Sequence, residues 1–90
     1  MRHEVKTWPI FFDSVKRGDK TFELRRYDRP YRAGDTIVLI EWNMAGEHVT
    51  GNQLERRITC VLHNAEEFGL MPGFCILGLG PVEQGGGGAR

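Results

Sequence analysis

Between Trp8 and Val15 the apolar residues Trp8, Phe11, Phe12 and Val15 fall at i, i+3, i+4 and i+7, one stripe of an amphipathic helix, with Asp13, Lys16 and Arg17 turned outward. Thr7 is placed to cap it, Pro9 suits its first turn, and Gly18 suits the position just past its end. A short strand, His3 to Lys6, precedes it. After Gly18 the period changes to two. Over Thr21 to Arg26, Phe22 and Leu24 alternate with Thr21, Glu23 and Arg25, a pattern that predicts a strand burying the first pair and presenting a hydroxyl, a carboxylate and a guanidinium on the other face.

Arg29-Pro30 forces an extended or turning path, and Arg32 to Asp35 form a turn before Thr36 to Trp42, the strand richest in β-branched residues. Glu47 to Thr50 and Leu54 to Leu62 predict two antiparallel strands about Gly51-Asn52, with Ile58, Cys60 and Leu62 sharing one face of the second. Asn64 and Glu67 have capping-box spacing for one helical turn closed by Gly69, and Phe74 to Leu79 is a last strand. The elements add up to a small α+β barrel of five or six strands with one main N-terminal helix. Its expected core is Trp8, Phe11, Phe12, Phe22, Val38, Ile40, Trp42, Ile58, Val61, Phe74, Ile76 and Leu77.

Ninety residues suffice for one domain, assigned to 1–83, while the glycine-rich 84–90 stretch has nothing to pack and is expected to be a flexible tail. Twelve acids balance twelve bases, which excludes nucleic-acid binding by bulk charge. The balance is uneven, however. From Lys16 to Arg32 seven bases face three acids, a local excess suited to an anion or, alternatively, a merely solvated loop. No apolar leader follows the charged Arg2 to Lys6 and no run is long enough for a membrane span, so a cytoplasmic chain is expected. Cys60 and Cys75 sit in apolar surroundings without CxxC spacing and are expected to be buried and unpaired. His3, His48 and His63 share no ligand spacing, and no phosphate-cradling loop exists, so neither metal nor cofactor is expected.

The order of a Thr-Trp-Pro helix start, Gly18-Asp19-Lys20-Thr21-Phe22-Glu23-Leu24-Arg25, Asp28-Arg29, Gly34-Asp35-Thr36-Ile37 and Glu41-Trp42 resembles the ASCH domains of the PUA-like superfamily, and within them a compact single-domain bacterial and bacteriophage group. The likeness covers roughly His3 to Leu79. It implies a PUA-like β-barrel with a cleft beside the N-terminal helix, a surface that relatives use for RNA or modified nucleobases. Some ASCH proteins are amidohydrolases that release the acyl group of acetylated cytidine with a lysine, a threonine and a glutamate. Lys20 matches the lysine, but the threonine position, three residues on, is Glu23, and a carboxylate does not inherit a hydroxyl's nucleophilic role. Tyr27 also stands where the close group carries asparagine.

The candidate ligand residues are therefore Lys20, Thr21, Glu23, Arg25, Arg26, Tyr27 and Asp28. Lys20 supplies a point charge for a phosphate, Arg25 or Arg26 a planar fork for a phosphate or a base, and Glu23 or Asp28 an acceptor for an exocyclic amine. Trp8 and Tyr27 offer stacking faces, although Trp8 also completes the helix stripe, and Glu41 is a second carboxylate near the cleft. Binding of RNA or a modified nucleotide is the expected function. The alternatives are a hydrolase with Lys20 as electrostatic stabiliser and Glu23 as general base, and a small protein-binding domain of phage origin.

Overall fold

The computed structural model describes residues 1–43 and 45–82, so the expected tail at 84–90 lies outside the described residues. The elements are β1 (Arg2–Thr7), α1 (Pro9–Arg17), β2 (Phe22–Arg26), β3 (Thr36–Asn43), β4 (His48–His63), a 3₁₀ turn (Glu66–Phe68) and β5 (Phe74–Gly80). The strands form one sheet in the order β1-β3-β4-β5-β2, curled into a half-barrel. Only β1 and β3 run parallel. A parallel pair needs a crossover, and α1 with β2 makes up half of it.

Pairing sets the concave face. His3, Val5 and Thr7 of β1 lie beside Ile37, Leu39 and Glu41 of β3, while Cys75, Leu77 and Leu79 fill the same face of β5. With Phe12, Val15, Tyr31 and Ile58 these apolar residues make the core. Each large apolar side chain removed from water contributes about 1.5 to 3 kcal/mol.

The helix follows its predicted span but rotates its stripe. Phe12 and Val15 are buried, whereas Trp8 and Phe11, expected in the core, are half exposed and stack on each other at 6.0 Å and 16°. Trp8 rather than Thr7 is the N-cap, which puts Pro9 at the first helical position, and no side chain caps the helix. At the other end Gly18 adopts φ 87° and its N–H bonds to the carbonyl of Val15 at 3.0 Å. Any side chain there meets the left-handed penalty of about 1 to 2 kcal/mol.

In place of two strands about Gly51-Asn52, one 16-residue strand runs from His48 to His63, with Gly51 at φ 98° inside it. A bulge explains a second departure. Ile58 pairs with Leu79 but Cys60 with Gly78, so Thr59 is the extra residue. The extra residue reverses the alternation, leaving Cys60 exposed and not buried as its neighbours suggested. Cys75 does lie in the core, and burial pushes its thiol pKa up. Gly78 makes room for the bulge, since a Cβ there would stand 2.5 Å from Thr59 Oγ1. The expected Asn64–Glu67 capping box does not form: the 3₁₀ turn is capped by Ala65 without a side-chain bond, although Gly69 closes it. Of the expected core, Phe22 is exposed and Ile40, Trp42, Val61, Phe74 and Ile76 are half buried, while Val5, Tyr31, Ile37, Leu39 and Leu79 take their places.

The base of the sheet is tied by Asp35. Its Oδ2 faces His3 Nε2 at 2.8 Å and accepts the Arg32 N–H at 3.1 Å, and its Oδ1 accepts the Met1 amine at 3.0 Å. The hydrogen bond with His3 is the main cause that holds this carboxyl below its ordinary pKa, against a smaller opposing effect of burial.

Candidate functional site

Strand β2 presents its faces the opposite way to the expected one. Glu23 is buried and Arg25 half buried on the concave face, whereas Phe22 and Leu24 are exposed. Period two fixes which residues share a face but not which face turns inward. Pairing with β5 decides it here, because Glu23 lies opposite Leu77 and Arg25 opposite Cys75, both core residues.

Burying Glu23 requires partners, and it has two. Lys20 Nζ donates to Glu23 Oε1 and to the Phe22 carbonyl, each at 2.8 Å, and Arg25 Nη1 donates to Glu23 Oε2 at 2.8 Å. The Glu23 side chain is 5% exposed, that of Lys20 16% and that of Arg25 25%. The group is thus a partly buried triad of net charge +1, not a surface pair. Its desolvation penalty offsets much of its Coulomb gain, so stability alone is a weak reason for it. Lys20 is aimed by the turn after α1, where its N–H bonds the Ser14 carbonyl at 3.0 Å, and its ammonium lies 5.5 Å from the Phe11 ring and 5.0 Å from that of Phe22.

Arg25 has a second task. The half-barrel leaves β1 and β2 as its two open edges, and Arg25 Nη1 reaches across to the Lys6 carbonyl at 3.2 Å. Arg29 Nη1 does the same to the Glu4 carbonyl at 3.2 Å. Glu4 and Lys6 are two apart on β1, so both carbonyls point away from β3, and guanidinium groups satisfy them where no strand does.

Two adjoining grooves meet at the triad. One, of about 490 Å³, lies between α1 and β2 and is lined by Phe11, Ser14, Asp19, Lys20, Phe22, Glu23 and Leu24. The other, of about 250 Å³, is lined by Lys6, Thr7, Trp8, Phe11, Glu23, Leu24 and Arg25. Lys20, Glu23 and Arg25 are therefore brought together beside the exposed rings of Trp8 and Phe11. Thr21 instead lines another groove, which Lys20 also borders, with Val15, Gly18, Glu55 and Arg56. Arg26, Tyr27 and Asp28 line none of the three: Arg26 lies over the Phe74 ring at 5.1 Å, Tyr27 stacks on His63 at 4.3 Å and 9°, and Asp28 faces Arg29 at 3.7 Å. Glu41 is buried with Thr50 Oγ1 donating to its Oε1 at 2.6 Å and Asn52 Nδ2 at 2.9 Å, bonds that lower its pKa and tie β4 to β3.

The sequence reading missed Lys6, Thr7, Phe11, Phe22 and Leu24 as groove residues, because each had a sufficient role elsewhere as strand, cap or core. The one available signal was the excess of charge in β2, which marks an interior-facing ion cluster once β2 is turned over. Among the described residues, two buried side-chain polar atoms have no hydrogen-bond partner, Thr7 Oγ1 and Tyr31 Oη. No group of three or more His, Cys, Asp or Glu side chains among them is arranged to hold a metal ion, and no helix is long and apolar enough to cross a membrane.

Residues 2–79 match the family described as "Domain of unknown function (DUF3850)". A similar protein is the "Uncharacterized 12.9 kDa protein in GpA 3'region" of Escherichia phage P2, 46% identical over 59 residues that make up 66% of this chain and 52% of the phage protein. The chain thus spans about half the length of that relative. It belongs to the DUF3850 family.

Proposed function

We propose that this DUF3850 protein is a nucleotide-binding module of ASCH, PUA-like type, taking RNA or a modified nucleotide in the grooves that meet at Lys20, Glu23 and Arg25. The observation that carries the reading is the net-positive, partly buried triad beside two exposed aromatic rings, Trp8 and Phe11. Stacked rings serve a base at about 1 to 3 kcal/mol each, and the fixed cations serve a phosphate or a carbonyl-rich edge. The neutral whole-chain charge fits recognition at one site better than binding along a long backbone.

Hydrolysis is the weaker reading. Glu23, its general base, has each oxygen engaged by a cation, and Thr21, the hydroxyl next to Lys20, lines a groove that Glu23 and Arg25 do not. A panel of short RNAs and modified nucleosides tests both readings. Wild-type protein is expected to bind at least one member and to release no acetate from acetylated cytidine. Lys20→Ala and Arg25→Ala each weaken binding by about 1.5 to 3 kcal/mol while the domain stays folded. Glu23→Thr restores the hydroxyl of the acyl-releasing branch, so turnover by this variant alone would mark the wild-type site as one built for binding. Robust turnover by wild type would overturn the proposal.

A further inference from the structure

Thr7 has no structural task that uses its hydroxyl. It does not cap α1, because Trp8 holds that position, and its Oγ1 is buried without a partner on the concave face beside Glu41. A buried hydroxyl left unpaired opposes folding, and a valine of nearly the same shape would avoid that cost. Yet Thr7 lines the groove beside Trp8, Phe11, Glu23 and Arg25. Resting on the nucleotide-binding reading above, we infer that Thr7 is a specificity-determining residue whose hydroxyl donates to a carbonyl oxygen of a planar ring stacked against Trp8 and Phe11.

The neighbours fix the sense of that hydrogen bond. Each oxygen of Glu23 already accepts from a cation, and it is outnumbered by side chains with N–H or O–H to give: Lys6, Thr7, Trp8 and Arg25 line this groove and Lys20 lines the adjoining one. A row of donors suits a ring edge of carbonyl acceptors and disfavours one that presents an amine. The site therefore prefers a dicarbonyl pyrimidine, of uracil type, over an amino pyrimidine such as cytosine. Rotation about χ1 of Thr7 as the ring enters brings the hydroxyl to the ligand.

The test measures calorimetric affinity for uridine and cytidine, together with melting temperature, for wild type, Thr7→Val and Thr7→Ser. Expected are tighter binding of uridine than of cytidine by wild type, and a loss of about three- to tenfold in uridine affinity for Thr7→Val. Thr7→Ser, which keeps the hydroxyl, retains most of the affinity. The melting temperature of Thr7→Val should equal or exceed that of wild type. A clearly lower melting temperature would show that the hydroxyl has a structural partner and would overturn the inference. Equal uridine affinity for wild type and Thr7→Val would overturn it while leaving nucleotide binding intact. Preference for cytidine would overturn the carbonyl assignment. Failure of wild type to bind any nucleoside or RNA would instead overturn the proposed function itself, and this inference with it.

Discussion

Of the buried acids of the half-barrel, Asp35 and Glu23 are partnered in opposite ways. Asp35, at the start of β3, is held by a backbone N–H, a histidine ring and the Met1 amine. Glu23, toward the end of the barrel where β1 finishes and β2 begins, gathers two long cationic side chains and no backbone donor among its bonds. The Asp35 cluster lines none of the three grooves described, whereas two grooves open onto Glu23. A carboxylate that ties its own turn to the start of β1 is a fastener. One fixed by Lys20 and Arg25 leaves those cations spare valence, since an ammonium has three N–H groups and a guanidinium five.

The largest effect that would break this contrast is on stability. Glu23→Ala leaves Lys20 and Arg25 half buried without their shared anion and should destabilise the fold by about 3 to 5 kcal/mol in a denaturant titration. A loss below about 1 kcal/mol would mean that both cations simply turn to water, and that the triad is a surface feature after all.

Asp35→Asn should cost less, about 2 kcal/mol, because the amide keeps an acceptor while losing charge-assisted bonds. The same carboxyl gives the fold a pH dependence of definite sign. Its folded pKa is lowered from 3.8, so its contribution is complete above that value and is lost as pH falls through 3.8 toward the folded pKa. Wild type should therefore show a steeper loss of stability below about pH 4 than Asp35→Asn does, measured by urea melts at several pH values. Parallel curves for the two proteins would remove the fastener role.

The smallest effect sharpens the Glu23 side. Arg25→Lys keeps the charge but not the planar guanidinium whose Nη1 serves Glu23 and the Lys6 carbonyl together, and should cost about 1 kcal/mol in stability. Its ligand affinity should fall by more than its stability does. Equal losses would indicate that Arg25 acts only as a strut.

Part of this was legible in the residues. Pro9 and Gly18 bracket the helix because one suits the first helical position and the other adopts a left-handed φ, and both signals are local. Glu23 and Arg25 stand out as charges on one face of a short strand, and Lys20 by its place in the Gly18-Asp19-Lys20 motif just ahead of it. What could not be read was anything set by pairing across the sheet. The inward turn of Glu23 depends on Leu77 more than fifty positions away, and the exposure of Cys60 depends on where Thr59 slips against Gly78. The stacking of Tyr27 on His63, 36 positions on, is likewise set by the fold.

The reach of Arg25 and Arg29 across the gap between β1 and β2 also bears on solubility. An unguarded edge strand invites a second chain to add itself, and here two guanidinium groups occupy the carbonyls that such a chain would use. One of the two also belongs to the proposed binding groove. Removing Arg25 therefore does more than empty a ligand contact: it uncovers a strand edge. The cover of the β1 edge and the proposed ligand contact thus share one side chain.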